Sequence, residues 1–310
     1  MRVSLPWLCA VGTLLACGTA PSEPDPAFAK GGPAPPPPPA APAIAYLRDN
    51  GTRPDNVMVM NADGTNQAAV FTGLAFTGFT WSPDGHSVVF GGAVGGVYGV
   101  YAVDVTVVGG VPTGSNTRLL QAGFHWGDPQ WSPAGDLIAV CGDLEPGRIG
   151  IAVFPAGGGP VVPVYSVPGY PTTKLEIQWP TWSPDQTRIA FMESDNATGL
   201  RTLKIIDLAT SVVTDVASAP ELFRWPDWSH DGTRIAYSMP TGRQESVYVV
   251  PAVAGGVPVL VGLGLAPSWM PLDTRLVVNV WGAQPSLGIL PAAGGAVTVI
   301  AKNGSKADSR

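Results

Sequence analysis

The pentapeptide Trp81-Ser82-Pro83-Asp84-Gly85 decides the reading of this chain, because it returns in altered form along the sequence. The copies are Trp131-Ser132-Pro133-Ala134-Gly135, Trp182-Ser183-Pro184-Asp185-Gln186, Trp228-Ser229-His230-Asp231-Gly232 and Trp269-Met270-Pro271-Leu272-Asp273. Successive tryptophans lie 50, 51, 46 and 41 residues apart, the period at which propeller blades repeat. Within each copy, Ser, Pro and Gly stand where a type I turn wants them: Pro presets φ, and Gly relieves the exit. The repeated aspartates Asp84, Asp185 and Asp231 are read as residues that cap their own turn.

Working outward, every copy leads into an aliphatic run, such as Leu137-Ile138-Ala139-Val140 or Arg188-Ile189-Ala190-Phe191, that reads as a strand. A proline stands two residues before four of the tryptophans, at Pro129, Pro180, Pro226 and Pro267, with Phe79 in the remaining copy. Proline cannot donate to a ladder, so its return at one position suits an edge strand facing a channel. A third strand (for example Val247-Tyr248-Val249-Val250), a glycine-rich turn and a short valine-rich fourth strand complete each unit. The expected fold is therefore an all-β, six-bladed propeller of four-stranded antiparallel blades. Its first blade is the exception. Strands at Ile44 to Tyr46, Val57 to Met60 and Ala68 to Phe71 lack an inner partner. The tail after Lys302 is polar and short, and Pro35 to Pro42 is too rich in proline for a good ladder. A three-stranded first blade is one outcome, and the closure of the ring stays open at this point.

Composition agrees with many short strands joined by tight turns: 45% hydrophobic and 13% charged residues, with 39 Gly and 33 Pro. A net charge of −6 and the lack of a basic stripe argue against nucleic acid as a partner. The expected organisation is a signal segment at 1–17, a Pro-rich linker at 18–42, the propeller at 43–302 and a polar tail at 303–310. The linker favours polyproline II and acts as a tether; a docking site for a proline-binding module is its other reading.

Met1-Arg2 followed by the apolar Leu5 to Leu15 has signal-peptide proportions and is too short for an ordinary membrane span. Leu14-Leu15-Ala16-Cys17 resembles a bacterial lipobox. The resemblance implies that Cys17 is acylated and, with Gly18 rather than aspartate after it, that the protein is carried to the outer membrane of the cell envelope. A plain signal with an incidental cysteine is the alternative. Of the three cysteines, Cys141 alone would remain in the folded part, as a small hydrophobe or, less in keeping with its strand, a reactive thiol.

The Trp-Ser-Pro-Asp-Gly turn, the Arg188-Ile189-Ala190-Phe191 strand and the segment Val57-Met58-Val59-Met60-Asn61-Ala62-Asp63-Gly64 together resemble the TolB-type, WD-repeat-like propeller repeat of bacterial envelope proteins. The resemblance implies the propeller fold over about five sixths of the chain and an envelope setting. It does not fix a function. TolB carries an α/β domain ahead of its propeller where this sequence has a signal and linker, and the hydrolase domain of propeller-bearing peptidases would begin where this sequence stops.

The sequence contains no Gly-x-Ser-x-Gly, no phosphate loop, no His-Glu-x-x-His and no paired-cysteine spacing. No catalytic residue, metal or cofactor is expected. His86 and His230 fall in comparable turns of distant blades and should not share a metal. The aromatic excess ahead of the inner strands is the feature with functional promise: Trp126, Trp179 and Trp225, accompanied by His125, Arg224 and Asp227. Such residues supply binding hot spots, and they would surround one mouth of the channel; packing between blades is the other role open to them. The expectation is a non-catalytic, lipid-anchored propeller that binds an envelope protein or peptide through the channel mouth. A carbohydrate-binding or polysaccharide-lyase-like propeller, using a convergent His, Arg and carboxylate, is the alternative.

Overall fold

The computed structural model describes residues 44–48, 55–123, 126–169, 172–221, 223–242, 244–280, 286–302 and 304–309. The expected signal segment, Cys17, the Pro-rich linker and His125 lie outside the described residues. Within them the regular structure is entirely strand. The chain begins with β1 (Ile44–Arg48), β2 (Asp55–Met60), β3 (Ala68–Trp81), β4 (Ser87–Val94), β5 (Val97–Val108) and β6 (Val111–Ala122), joined in that order in one antiparallel sheet. A four-stranded sheet follows from β7 (Trp126–Trp131), β8 (Leu137–Glu145), β9 (Arg148–Pro155) and β10 (Val162–Pro168). The next comprises β11 (Leu175–Trp182), β12 (Arg188–Asp195), β13 (Leu200–Asp207) and β14 (Val213–Ala219). The same meander recurs as β15 (Arg224–Trp228), β16 (Arg234–Thr241), β17 (Gln244–Pro251) and β18 (Val259–Leu263), then as β19 (Leu265–Trp269), β20 (Arg275–Val280), β21 (Ser286–Pro291) and β22 (Thr298–Lys302). Last comes β23 (Gly304–Ser309), which pairs antiparallel with β1.

The polar tail is therefore not a tail. Gly304–Ser309 supplies the inner strand that the first unit lacks, with Ala45 opposite Asp308 and Tyr46 opposite Ala307. Its polarity, which argued against a strand, reflects where it sits: an innermost strand turns one side toward the channel, where a carboxylate finds backbone N–H donors. The boundary at 302 moves accordingly to the end of β23. The long strand β3 explains why this sheet has seven strands. Its first half pairs with β2 (Phe71 opposite Val57) and its second half with β4 (Trp81 opposite Val88), so it ends one four-stranded unit and opens the next.

The core lies between sheets. Along β8, side chains alternate between the two faces as a strand requires. Ile138 and Val140 pack with Val89, Val100 and Leu120 of the preceding unit, while Ala139 and Cys141 pack with Ile189 and Phe191 of the following one. Both faces are buried, which is why these runs are continuously apolar and not alternating. Each such Val or Ile contributes roughly 1.5–3 kcal/mol of burial. The seam between the chain's two ends is built in the same way, with Ile44, Tyr46, Met58 and Met60 against Val277, Leu287 and Ala301.

The repeated turn behaves as its composition predicts. Gly85 N–H donates to Ser82 O at 2.8 Å, and Asp84 Oδ1 accepts from Ser82 Oγ and from His86 N–H. Gly85 has φ +68°, as do its counterparts in sign. Two worn copies have a use the sequence did not announce. Gln186 holds the glycine place at φ +59° and reaches back to the preceding turn, accepting from Ala134 N–H and donating to Asp136. Asp273, at φ +52°, accepts from His230 N–H, from Asp231 N–H and lies 2.8 Å from His230 Nδ1. A β-carbon added at Gly135 or Gly232 would likewise point at the preceding turn's proline, 3.7 and 3.6 Å away. Departures from glycine at this place thus lace neighbouring turns together.

Candidate binding site in the central channel

The inner strands β7, β11, β15 and β19 each carry a β-bulge at the same place, three residues before the tryptophan. The register breaks between Gly127 and Gln130, Gln178 and Thr181, Arg224 and Asp227, and Leu265 and Ser268. The residue inside each break is left-handed: Asp128 (φ +45°), Trp179 (+53°), Trp225 (+50°) and Ala266 (+48°). For non-glycine residues, and for bulky indoles above all, this is an unfavourable backbone held in place by its surroundings. The proline follows directly, where the displaced strand needs no ladder N–H.

The bulges face one cavity. Gly78 and Phe79 from β3, Asp128 and Gln130 from β7, Trp179 and Pro180 from β11, Trp225 to Asp227 from β15, Ala266 to Ser268 from β19, and Asp308 from β23 all border it. Six inner strands around one space define a closed ring with a central channel. Its free volume is about 70 Å³.

Three carboxylates bridge neighbouring inner strands across this wall. Asp308 Oδ2 accepts from Trp81 N–H (2.8 Å) and Thr80 Oγ1 (3.1 Å), and its Oδ1 lies 3.4 Å from Ser268 Oγ. β23 is thereby fastened to the inner strands on both its sides. Asp227 Oδ2 accepts from Trp269 N–H at 2.7 Å, and Asp128 Oδ1 from Gly78 N–H at 2.9 Å. Bulk water is shut away from Asp227 and Asp308, although each turns part of its surface to the narrow cavity. Burial, only partly offset by the N–H donors, pushes Asp227 up to about 7 and Asp308 up to about 6. Their mutual repulsion adds to the rise of Asp227.

Of the expected mouth residues, Trp179, Trp225 and Asp227 do meet at this cavity. The indoles of Trp179 and Trp225 are a tilted pair, centroids 5.3 Å apart. Trp179 also packs on the hydrophobic core beside Phe223 and Trp228, so it serves packing and wall together. Asp227 lies in the channel wall, bonded to β19. Arg224 turns away from the wall: its guanidinium lies 3.3 Å from Glu245 and 5.8 Å from the Trp225 ring. Trp126 opens β7, where only its backbone is described. Arg224 and Asp227 do not converge on one point. Sequence reasoning missed Asp128 and Asp308; a carboxylate three residues before a framework tryptophan, beside the recurring proline, was the signal for Asp128.

The framework tryptophans are structural. Trp182 and Trp269 donate through Nε1 to Gln130 O and Asp227 O of the preceding inner strand, each at 3.1 Å. Arg188 and Arg234 cover the next unit's indole, 4.9 and 4.7 Å from Trp228 and Trp269. Cys141 is buried, its thiol pushed far toward the protonated form by burial and by Asp128, which leaves it a packing residue.

These features define a β-propeller. No protein-family model matches the chain, and no curated protein matches it by sequence. Among solved structures it is similar to TolB from Acinetobacter baumannii, with a TM-score of 0.69 and 17% identity over 86% of this chain and 66% of that one. The chain thus spans just under two thirds of that TolB. A structure described as TolB from Agrobacterium tumefaciens matches at TM-score 0.59 and 17% identity, over 84% and 88% of the two chains. Oligogalacturonate lyase from Vibrio parahaemolyticus matches at 0.54 and 13%, over 80% and 71%. The fold is a TolB-type propeller.

Proposed function

We propose that this is a non-catalytic propeller of the bacterial cell envelope, lipid-anchored through Cys17 at the outer membrane, which binds an envelope protein or peptide at the channel opening walled by Trp179 and Trp225. The observation that carries the binding mode is the size and wall of the channel. Sites for free small molecules run to roughly 300–1,000 Å³, whereas this cavity offers about 70 Å³. It suits one inserted side chain of a larger partner. Aromatic walls held rigid by an imposed backbone give contact area at little loss of entropy on binding. The similarity to TolB structures supports the envelope setting, and the lipobox-like Leu14 to Cys17 supports the anchor. For a lyase-like propeller, Arg224 would have to leave Glu245, and no observation in the channel favours that reading over the first.

The test is capture of envelope proteins from native membranes by the wild type and by a Trp179→Ala/Trp225→Ala double variant. Partner recovery that falls with the two indoles supports the reading; equal recovery by both proteins sinks the proposed surface. Mass analysis of the mature N-terminus settles the anchor, which fails if Cys17 is unmodified.

A further inference from the structure

Resting on the reading above, we propose that the group this channel receives is an organic cation, a lysine ammonium or an arginine guanidinium of the partner, seated against the free oxygen of Asp227 and the Trp179–Trp225 pair.

The first ground is the charge of the wall. Asp128, Asp227 and Asp308 border the cavity, and no Lys, Arg or His is among the described residues that do so. Arg224, whose side chain is described on β15, is ion-paired with Glu245. The second ground is hydrogen bonding. Asp308 uses both oxygens, one toward β3 and one toward β19. Asp227 uses only Oδ2, for Trp269 N–H; the residue is half-buried and borders the cavity, so its other oxygen is left to take a donor from there. A carboxylate oxygen that faces a narrow cavity with no protein donor is an acceptor for a ligand, and a donor-bearing cation makes the stronger, charge-assisted bond to it. The third ground is the aromatic wall, since an indole face is the best aromatic partner for a cation.

A metal ion fits less well. Among the described residues no three His, Cys, Asp or Glu side chains are gathered closely enough to hold one. The volume, on the order of two water molecules, admits an ammonium or guanidinium head, with its aliphatic stem against Pro180, Pro226 and the indoles.

The proposal has a proton signature. Among the described residues, the charged and titratable groups around Asp227 are Asp308 from β23, Asp128 from β7, Asp273 from the turn after β19 and His230 from the turn after β15. Burial, with the neighbouring carboxylates, holds Asp227 protonated up to about 7, the Trp269 N–H and His230 opposing it. A seated cation favours the ionised form, so binding below that value expels a proton and weakens as pH falls.

The experiment titrates the full chain with n-butylammonium, guanidinium, n-butanol and calcium chloride, following the indole Nε1–H signals by NMR at about pH 8 and about pH 5. Saturable binding of an organic cation is expected at the higher pH, weaker by about tenfold or more at the lower, and lost in Asp227→Asn. That variant keeps an acceptor for Trp269 N–H, and its melting curve verifies folding. The midpoint of the Asp227 carboxyl, read by carbon NMR in the wild type, is expected to fall when the cation is present. Equal response to n-butanol, tighter binding of calcium than of either organic cation, retention of binding by folded Asp227→Asn, or an unmoved midpoint would each overturn the proposal. If partner capture still depends on Trp179 and Trp225 while no cation binds, only the charge assignment falls. If the cation binds and capture is indifferent to the indoles, the protein-partner reading falls instead.

Discussion

Replacing Asp227 by Asn should make the protein more stable at neutral pH and leave it unchanged in acid. An ionised carboxylate at this place is half-buried at a narrow cavity, and the N–H donor it has is that of Trp269. Its raised value means that the folded chain holds the proton more tightly than the unfolded chain does. The stability contributed by the neutral form is fully present below the ordinary value of 3.8 and is lost as pH rises through about 7. The difference between those values corresponds to about 4 kcal/mol at mildly alkaline pH, an upper bound because cavity water and relaxation soften it. A gain of about 2–3 kcal/mol for the variant at about pH 8, shrinking to nothing near pH 4, is the expected outcome. Asn keeps the oxygen that receives Trp269 N–H, so the comparison isolates the charge. Urea unfolding of the full chain across pH reads it directly. The turn aspartates do not blur the window: Asp84, Asp185 and Asp231 are lowered by their Ser, Thr and backbone donors, so their contribution is present above 3.8 and is lost only below it. Parallel stability curves for wild type and variant between about pH 4 and about pH 8 would refute the reasoning.

Three further outcomes follow from particular contacts. Ending the chain at Lys302 removes β23 and leaves Trp81 N–H without its carboxylate, and a loss of at least about 2–3 kcal/mol with protease sensitivity at β1 is expected; unchanged unfolding would mean that β23 does not close the ring. Asp273→Gly relieves a left-handed backbone by roughly 1 kcal/mol but removes charged acceptors for His230 N–H and Asp231 N–H, so thermal melting should show net destabilisation, while Gln186→Gly, which loses one uncharged acceptor and one donor, should come out near neutral. Cys141 should resist an aromatic disulfide reagent in the native protein and react on unfolding, and fast native reaction would contradict its burial among Ile151, Ile189 and Phe191.

The repeat was legible because its physics is local. Trp81 to Gly85 and its copies carry their own turn, the aliphatic run after each must be buried on two faces, and the recurring proline marks an inner edge; those features dictate four-stranded units in series without knowledge of their neighbours. What only the assembled ring decided is long-range. That Gly304–Ser309 is a strand depends on β1 offering it a free edge some 260 residues away in the chain. That Asp308 joins Trp81 to Ser268, and that Trp179 and Trp225 share one narrow wall with Asp227, depends on six inner strands meeting around a single axis. Backbone turns are written in consecutive residues; a channel is written in residues that become neighbours only when the circle closes.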